Sequence, residues 1–329
     1  MGVTLKDVSK EAGVSIATVS NIINNKEKFV SPHIKEAVNK AIQKLNYKPN
    51  YAARSLVSSK SQSVGLIIPD ITNPFFAELA KGIEKNLARA GYITFLCNTY
   101  ENGQLEKKYL DELVARNVDG LIICGLSSRN AEVLRNLEVQ NIPYIVLDNR
   151  IKQIKKSIEI NDYDGGQIAA NHLVGRGHKH LAFIGCTGQF DNIKDRHRGY
   201  SDVLTNNDIK LSVFQTELTT DGGRLVAADV IDSGATGVFC GNDLIAVGLY
   251  EIARQKGIKI PEELSIIGFD DISFAEIMQP KLTTIRQSRR SITLEATTHL
   301  IAMMQDAQYT FENVVLPIHL VERESTSWR

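Results

Sequence analysis

Apolar residues from about position 63 onward fall into short continuous runs that alternate with segments of helical periodicity. The runs are VGLII (64–68), ITFLC (93–97), GLIIC (120–124), YIVLD (144–148), LAFIG (181–185), GVFC (237–240) and LSIIGF (264–269). Between them lie amphipathic segments such as FFAELAKGIEKNLARAG and LIAVGLYEIARQKG. This alternation is typical of parallel sheets covered by helices on both faces, so the sequence predicts an α/β fold.

The length of this alternating region bears on its architecture. Residues 63–329 are too long a stretch for a typical single open sheet. Two similar lobes or a closed barrel are the alternative architectures. The polar interruption DNRIKQIKKSIEINDYDGG at 148–166 favours two lobes that divide near residue 160. In such a fold, a cleft lined by loops at the carboxyl ends of the strands is the usual ligand site.

The first 48 residues follow a different pattern, which predicts a helix, a turn, a second helix, a loop and a third helix. One face of each helix is apolar: Leu5, Val8 and Ala12 in the first, Val19, Ile22 and Ile23 in the second, and Ile34, Val38, Ala41, Ile42 and Leu45 in the third. Thr4 and Ser15 can cap the first two helices, Ser31 begins the third, and Gly13 lies in the turn. We expect a small helical head that contains a helix-turn-helix.

The segment that joins these two parts, NYKPNYAARSLVSSKSQ (46–62), is an unusual linker. AARSL favours a helix but is too short to be stable alone. Leu56 is apolar without an obvious core to enter.

The composition is that of an ordinary globular protein, with 43% hydrophobic and 23% charged residues, but the charge is unevenly distributed. Residues 1–60 carry ten Lys/Arg and four Asp/Glu, a net charge of +6. Residues 61–329 carry 28 and 34, a net charge of −6, which gives the overall charge of zero. A basic head on an acidic body suggests that the head binds a polyanion.

Several protein classes lack support in the sequence. No apolar run approaches the roughly 18 to 20 residues that span a bilayer, and MGVTLKDVSKEAG lacks the apolar core of a signal peptide. The four cysteines and the histidines show no metal-ligand or redox spacing, and no phosphate-binding glycine motif occurs. We expect a cytoplasmic protein, associated with the nucleoid, that is not an enzyme and needs no cofactor, no metal and no membrane.

The second helix of the head has the residue types of a DNA reader. Ile16, Ala17 and Asn21 point outward; Asn21 suits a bidentate contact to adenine, and Ile16 and Ala17 suit thymine methyl groups. We expect the major-groove residues to be Ser15, Ile16, Ala17, Thr18, Ser20 and Asn21. The DNA-backbone candidates are polar groups near the helix ends, namely Thr4, Asn24, Ser31, His33, Tyr47 and Asn50. An ordinary helical bundle is the competing interpretation.

KDVSKEAGVSIATVSNIIN (6–24) followed by LNYKPNYAARSL (45–56) resembles the start of a LacI/GalR-family transcriptional repressor. Later motifs agree in order: VGLIIPDITNPFFAELAKGIE, NVDGLIICG, GHKHLAFIG, RHRGY, CGNDLIAVGL, IPEELSIIGFDDI, LTTIRQ and LVERESTSW. The resemblance covers essentially the whole chain. It implies a homodimer whose two heads read a pseudo-palindromic operator, with a body that resembles a periplasmic sugar-binding protein.

The resemblance also implies a division of the chain. Residues 1–48 would form the DNA-binding domain, 49–62 a hinge helix and linker, and 63–329 the effector-binding and dimerisation domain. The N-lobe would take about 63–160 and 290–318, and the C-lobe about 161–289 and 319–329. In the hinge, Ala53, Arg54 and Leu56 would enter the minor groove, where Leu56 would wedge into a base step.

Polar and aromatic residues at the predicted strand ends supply a candidate effector site. Asn73, Phe75, Phe76, Asp148, Arg150, Arg196, Asn242, Asp270 and Gln287 resemble the pocket of ribose-binding proteins and their repressor relatives. Two departures concern specificity: Asn149 separates Asp148 from Arg150, and a further pocket aromatic is absent around 217–223. We interpret Asp70, Asp162 and Asp271 as turn or capping residues.

The predicted function is repression of a carbohydrate-utilisation operon, relieved by ribose or a similar small sugar in the interlobe cleft. One alternative is a catabolite-control-type regulator with a corepressor, such as a phosphosugar, a purine or a phosphoprotein. A solute-binding protein without a regulatory role is a weaker alternative, because it does not explain the basic head.

Overall fold

The computed structural model describes residues 3–23, 30–48, 60–126, 131–148, 155–186 and 190–329. The chain divides into two compact units, Met1–Ser61 and Gln62–Arg329, which we call the head and the body. Among the described residues, no helix combines the length and the apolar character needed to cross a membrane.

The described part of the head contains the helices α1 (Leu5–Ala12), α2 (Ile16–Ile23) and α3 (Pro32–Lys44). Their apolar stripes meet in a small core, as the hydrophobic pattern predicts. The buried side chains of this core are Val8, Val19, Ile22, Val38, Ala41 and Tyr47.

Short polar contacts fix the helix ends in the head. The backbone amide and the hydroxyl of Thr4 donate to the Asp7 carboxylate over 2.8 and 2.7 Å at the start of α1. The Ser15 hydroxyl accepts from the Thr18 amide over 3.1 Å at the start of α2. Gly13 ends α1 with a φ of 67°, a left-handed conformation that glycine adopts without strain.

The body alternates strands and helices. Its strands are β1 (Ser63–Ile68), β2 (Ile93–Asn98), β3 (Gly120–Cys124), β4 (Tyr144–Leu147), β5 (Ser157–Ile160), β6 (His180–Gly185), β7 (Lys210–Gln215), β8 (Gly237–Cys240), β9 (Ser265–Asp270), β10 (Thr283–Gln287), β11 (Val314–Leu316) and β12 (Ile318–Val321). Its helices are α4 (Pro74–Arg89), α5 (Gly103–Ala115), α6 (Ala131–Val139), α7 (Asp162–Gly175), α8 (Asp191–Asn206), α9 (Thr220–Asp232), α10 (Asp243–Gln255) and α11 (Arg289–Gln305), with a 3-10 turn at Ser273–Glu276.

The strands form two separate six-stranded sheets, which define the N-lobe and the C-lobe. The N-lobe sheet has the order β11-β5-β4-β3-β1-β2 with parallel pairings throughout. The C-lobe sheet has the order β12-β10-β9-β8-β6-β7 and is parallel except for the antiparallel pair of β10 and β12. The predicted parallel α/β fold with two lobes is therefore confirmed, and the closed barrel is excluded.

The chain passes between the lobes three times: after β5, after β10 and between β11 and β12. Helix α11, which follows the second passage, packs against α4 and the N-lobe strands. The N-lobe thus resumes at Arg289, one residue before the expected position. Ile318, which we expected in the N-lobe, begins β12 of the C-lobe sheet. Since parallel strands end at the same edge of their sheet, this connectivity brings the carboxyl ends of both sheets to one cleft.

Candidate functional site

Helix α2 presents the predicted reading face to solvent. Ile16 is 47% exposed, and Ala17 and Asn21 are also exposed, whereas Val19 and Ile22 are buried in the head core. An exposed isoleucine beside an exposed asparagine suits contact with base edges in a major groove. The face is therefore available for the contacts that the sequence predicts.

Two other predicted major-groove residues, Ser15 and Thr18, interact with each other at the start of α2. The Ser15 and Thr18 hydroxyls lie 2.9 Å apart, and Ser15 also caps the helix. Ser20 is half-buried. Ser15 and Thr18 lie at the first turn of α2, where free backbone amides favour an anion such as phosphate.

The predicted DNA-backbone residues fall into three groups. Thr4, Ser31 and His33 are exposed at the starts of α1 and α3. The hydrogen bonds from Thr4 lower the pKa of Asp7, which keeps a negative charge at the start of α1. Tyr47 is only 9% exposed and belongs to the head core, so most of its ring is unavailable to DNA. Asn24, Asn50, Ala53, Arg54 and Leu56 lie outside the described residues.

The cleft between the lobes is organised around the guanidinium of Arg196. This residue lies on α8 and is 3% exposed. Its Nε donates to Asp162 over 2.8 Å, and one Nη donates to the Gly241 carbonyl over 2.7 Å. The guanidinium lies 3.5 Å from the centre of the Phe269 ring, a cation–π geometry. Arg196 is thus held rigidly at the base of the cleft.

Two glycines allow α7 and α8 to approach closely enough for this ion pair. A Cβ atom on Gly166 of α7 would lie 2.0 Å from the Arg196 carbonyl oxygen. A Cβ atom on Gly199 of α8 would lie 2.0 Å from the Tyr163 carbonyl oxygen. Any larger side chain at either position would force the helices apart and separate Arg196 from Asp162.

Two further carboxylates flank the guanidinium. Burial raises the pKa of Asp148 to about 7, although Arg196 and a 3.3 Å hydrogen bond from Asn192 oppose the shift. Burial raises the pKa of Asp270 to about 6, against Arg196 and a 2.6 Å hydrogen bond from Gln287. Three carboxylates therefore share one arginine, and the site accepts hydrogen-bond donors such as hydroxyl groups.

Two aromatic side chains lie at the start of α4, and one of them, Phe75, forms the facing wall of the cleft. Phe75 is buried, Phe76 is half-buried, and their rings meet edge to face with centres 5.2 Å apart. Asn73 caps α4 by accepting from the Phe75 amide over 3.0 Å. Asn242 caps α10 in the same way and donates to the Leu218 carbonyl over 2.9 Å.

A cavity of about 20 Å³ lies between the lobes. It is lined by Phe75, Leu79, Leu147, Asp148, Ile158, Glu159, Ile160, Asp162, Asn192, Gln287 and Ile292. This volume holds roughly one water molecule, so a sugar ring enters only if the lobes or the lining side chains move. Of the predicted residues, Phe75, Asp148 and Gln287 line the cavity, and Arg196 and Asp270 adjoin it through their contacts. Asn73, Phe76 and Asn242 do not line it, and Arg150 lies outside the described residues.

The structure corrects one sequence interpretation and adds two polar residues to the cavity. Asp162 is not a cap, because Asn161 caps α7 and Asp162 pairs with Arg196 in the cleft. Asp271 lies in the left-handed turn that follows β9, and its buried carboxylate is bound by Arg286 and Arg323. Glu159 and Asn192 line the cavity and were not predicted. Asp70 does serve a turn, accepting from the Thr72 amide over 2.9 Å.

Two family models match separate parts of this chain. The model for bacterial regulatory proteins of the lacI family matches residues 4–50, and the model for the periplasmic binding protein-like domain matches residues 170–326. The ribose operon repressor of Halalkalibacterium halodurans is 34% identical over 98% of this chain and 97% of its own. The HTH-type transcriptional repressor PurR of Pasteurella multocida is 33% identical over 99% of both chains.

Two solved structures show the same architecture. A LacI family transcriptional regulator from Enterococcus faecium with bound ribose is 35% identical, covers 80% of this chain and 98% of its own, and superposes with a TM-score of 0.75. The lac repressor dimer bound to operator and the anti-inducer ONPF is 27% identical, covers 99% of this chain and 100% of its own, and superposes with a TM-score of 0.89.

Proposed function

Because the chain belongs to the LacI family of bacterial regulatory proteins, we propose that it represses a carbohydrate-utilisation operon and that ribose or a similar small sugar relieves the repression. The choice of effector rests on the side chains that line the cleft around Arg196. The carboxylate of Asp148 and the buried ring of Phe75 line one cavity, and the buried Arg196 guanidinium and the Asp270 carboxylate adjoin it through Asp162 and Gln287. Sugar hydroxyls pair with such charged groups, and the apolar face of a sugar ring packs against an aromatic side chain.

The charge of the cleft supports a neutral effector over an anionic one. Asp148, Asp162 and Asp270 all act on Arg196, so carboxyl groups outnumber this guanidinium in the described part of the cleft. A phosphosugar would add negative charge beside these carboxylates, at a cost that grows in a buried site. A neutral pentose adds none. The relative with bound ribose supports the same choice.

Operator binding is assigned to the head, with α2 in the major groove and Leu56 of the hinge in the minor groove. We propose that two copies bind together, since the body exposes an apolar edge on β2 at which Ile93, Phe95 and Leu96 are 64%, 43% and 48% exposed. Exposed apolar patches of this kind mark interaction surfaces. A homodimer places two heads on the half-sites of a pseudo-palindromic operator.

Regulation then follows from linkage between the two sites. If the sugar binds best to a closed cleft and DNA binds best to another arrangement of the lobes, each ligand weakens the other by the same factor. A coupling of about 1–3 kcal/mol is typical for such proteins. The protein acts at the nucleoid in the cytoplasm, without catalysis.

A purine corepressor is the second candidate, because the PurR repressor of Pasteurella multocida is similar over the whole chain. In that case the effector strengthens operator binding, so the sign of the coupling distinguishes the two proposals. The cleft carboxylates and Gln287 can also accept and donate hydrogen bonds at the edge of a base.

The test is a thermal-shift screen of pentoses, hexoses, disaccharides, phosphosugars and purine bases, followed by operator binding with each compound that raises the melting temperature. We expect D-ribose or a related pentose to raise it and to weaken operator binding. Arg196→Met should abolish both effects, whereas Arg198→Met, on the exposed side of α8, should preserve them. A purine that strengthens operator binding would favour the second candidate, and no active compound in any class would contradict effector control.

A further inference from the structure

The carboxyl end of β9 carries two consecutive residues in a sterically costly backbone conformation. Asp270 has a φ of 107° and Asp271 a φ of 55°, although neither is glycine. Such residues persist only where surrounding contacts fix them, and they concentrate at functional sites. Here they place the Asp270 carboxylate beside Arg196 in the cleft.

Most of the contacts that fix this turn come from the C-lobe itself. Gln287 of β10 holds the Asp270 side chain, and Arg286 and Arg323 hold the Asp271 side chain. The Asp271 amide also donates to the Thr284 hydroxyl of β10 over 3.4 Å, and none of these contacts involves the carbonyl oxygens of the two residues.

Arg289 binds that backbone from the other lobe. It is the first residue of α11, whose body packs in the N-lobe. One Nη atom of Arg289 donates to the carbonyl oxygens of both Asp270 and Asp271, each over 2.7 Å. A single guanidinium thus satisfies the carbonyls of both strained residues.

The opposite side of the same guanidinium reaches the aromatic wall of the cleft. The Nε atom of Arg289 pairs with the Glu78 carboxylate over 2.7 Å, and the two side chains are 21% and 38% exposed. Glu78 lies on α4, one turn beyond Phe75. Arg289 therefore connects the helix that carries the phenylalanine wall to the strand end that carries Asp270.

We propose that Arg289 is a positioning residue that holds the two walls of the cleft in register and so couples effector binding at Asp270 to the N-lobe. The identity of the effector in this proposal rests on the proposed function. The contacts of Arg289 with Glu78 and with the carbonyls of Asp270 and Asp271, which we call the clamp, do not. A guanidinium suits the task because its planar fork can bind carbonyls on one side and a carboxylate on the other. Lysine offers a single ammonium on a flexible stem and cannot reproduce that geometry.

The first test needs no ligand. Hydrogen exchange is measured on the full-length protein and on Arg289→Met, Arg289→Lys, Glu78→Gln and Arg290→Met. We expect Arg289→Met to speed exchange in both walls, in peptides over 74–80 and 266–272. Glu78→Gln should affect chiefly 74–80, because it removes one arm of the clamp. Arg290→Met, an exposed arginine next in sequence, should change neither.

Faster exchange at 266–272 alone in Arg289→Met would overturn the clamp, since it would show local support of the turn without a link to α4. Unchanged exchange in both walls would overturn it as well. Glu78→Gln keeps the test decisive if Arg289→Met does not fold, because Glu78 is partly exposed and its loss leaves the turn contacts in place.

The second test titrates D-ribose into the same variants. We expect Arg289→Met to weaken binding by about tenfold or more, mainly through a faster off-rate, with partial recovery in Arg289→Lys. Wild-type affinity in Arg289→Met, together with altered exchange in both walls, would contradict the coupling to the effector. If the wild-type protein itself binds no sugar while the exchange result holds, the proposed effector is wrong and the clamp stands.

Discussion

The head and the cleft of the body use opposite chemistry. The head buries apolar side chains such as Val8, Val19 and Val38 and keeps its charged groups at the surface. The cleft buries one guanidinium among three carboxylates. Burying charge stabilises a fold weakly or not at all, so its presence in the cleft favours the binding role proposed for these residues. The head is therefore stabilised by its apolar core, whereas the buried charges of the cleft suit it to ligand binding.

Removal of the cleft arginine should have the largest effect and should be confined to the body. Arg196→Met leaves Asp162, Asp148 and Asp270 buried without their counter-ion, which typically costs about 3–5 kcal/mol. Urea unfolding followed through Trp328, the single tryptophan of the chain, measures the loss. Hydrogen exchange in α1–α3 should be unchanged, and a matching loss of protection there would show that the two regions are not independent.

Removal of an apolar side chain from the head should give the converse result. Ile22 is 5% exposed, and Ile22→Ala should cost about 2–5 kcal/mol of the stability of a small domain. Operator binding should be lost while binding of the effector in the cleft is kept. Loss of effector binding in this variant, measured by calorimetry, would contradict the separation.

The folding stability of the two regions should also change with pH in opposite directions. In the cleft, the folded-state pKa values of Asp148 and Asp270, about 7 and about 6, lie above the unfolded value of about 3.9. The folded body therefore binds more protons than the unfolded chain in this range, and its stability should fall as pH rises from about 4 to about 7. Each extra proton contributes about 1.4 kcal/mol per pH unit at most.

In the head, the pKa of Asp7 is lowered, so its contribution is present above the unfolded pKa and is lost as pH falls through the folded one. Urea unfolding of the body at several pH values measures the cleft effect. Asp148→Asn should flatten the profile between about pH 5 and 7. An unchanged profile in that variant would remove Asp148 as a source of the pH dependence.

The smallest effect concerns a helix start in the head. Ser15→Ala removes the hydroxyl that accepts from the Thr18 amide, which should cost about 1 kcal/mol of head stability. Thermal unfolding of the head followed by amide NMR signals measures the change. Ser15→Asp, which retains an acceptor, should restore most of it, and no recovery would show that capping is not the reason for the loss.

The fold could largely be predicted because most central strands are continuous apolar runs. β1, β3, β6 and β9 are buried along their whole length or nearly so, and the alternation with helices indicates parallel sheets. β10 is not a continuous apolar run, because Thr283 and Thr284 are polar yet fully buried. The Thr283 hydroxyl accepts from the Arg323 amide, and the Thr284 hydroxyl donates to Asp243, both distant in sequence. β7, at a sheet edge, has no continuous buried run.

The candidate site could be predicted only in part. Asp148, Asp270 and Gln287 stand at strand ends, where the fold places ligand groups, and the family resemblance supports them. Asp162 follows Asn161 at a helix start, and both are good capping residues, so sequence alone does not indicate which of them turns into the cleft. The answer depends on the close approach of α7 and α8, which a sequence pattern does not show.

The central claim is that the cleft and the head are coupled with reciprocal effects. An operator duplex is first enriched from a random pseudo-palindromic library. The Kd for operator is then measured with and without saturating D-ribose, and the Kd for D-ribose with and without saturating operator. We predict that both constants rise by one common factor, about 5- to 150-fold. Tight ribose binding that leaves operator affinity unchanged would contradict the account.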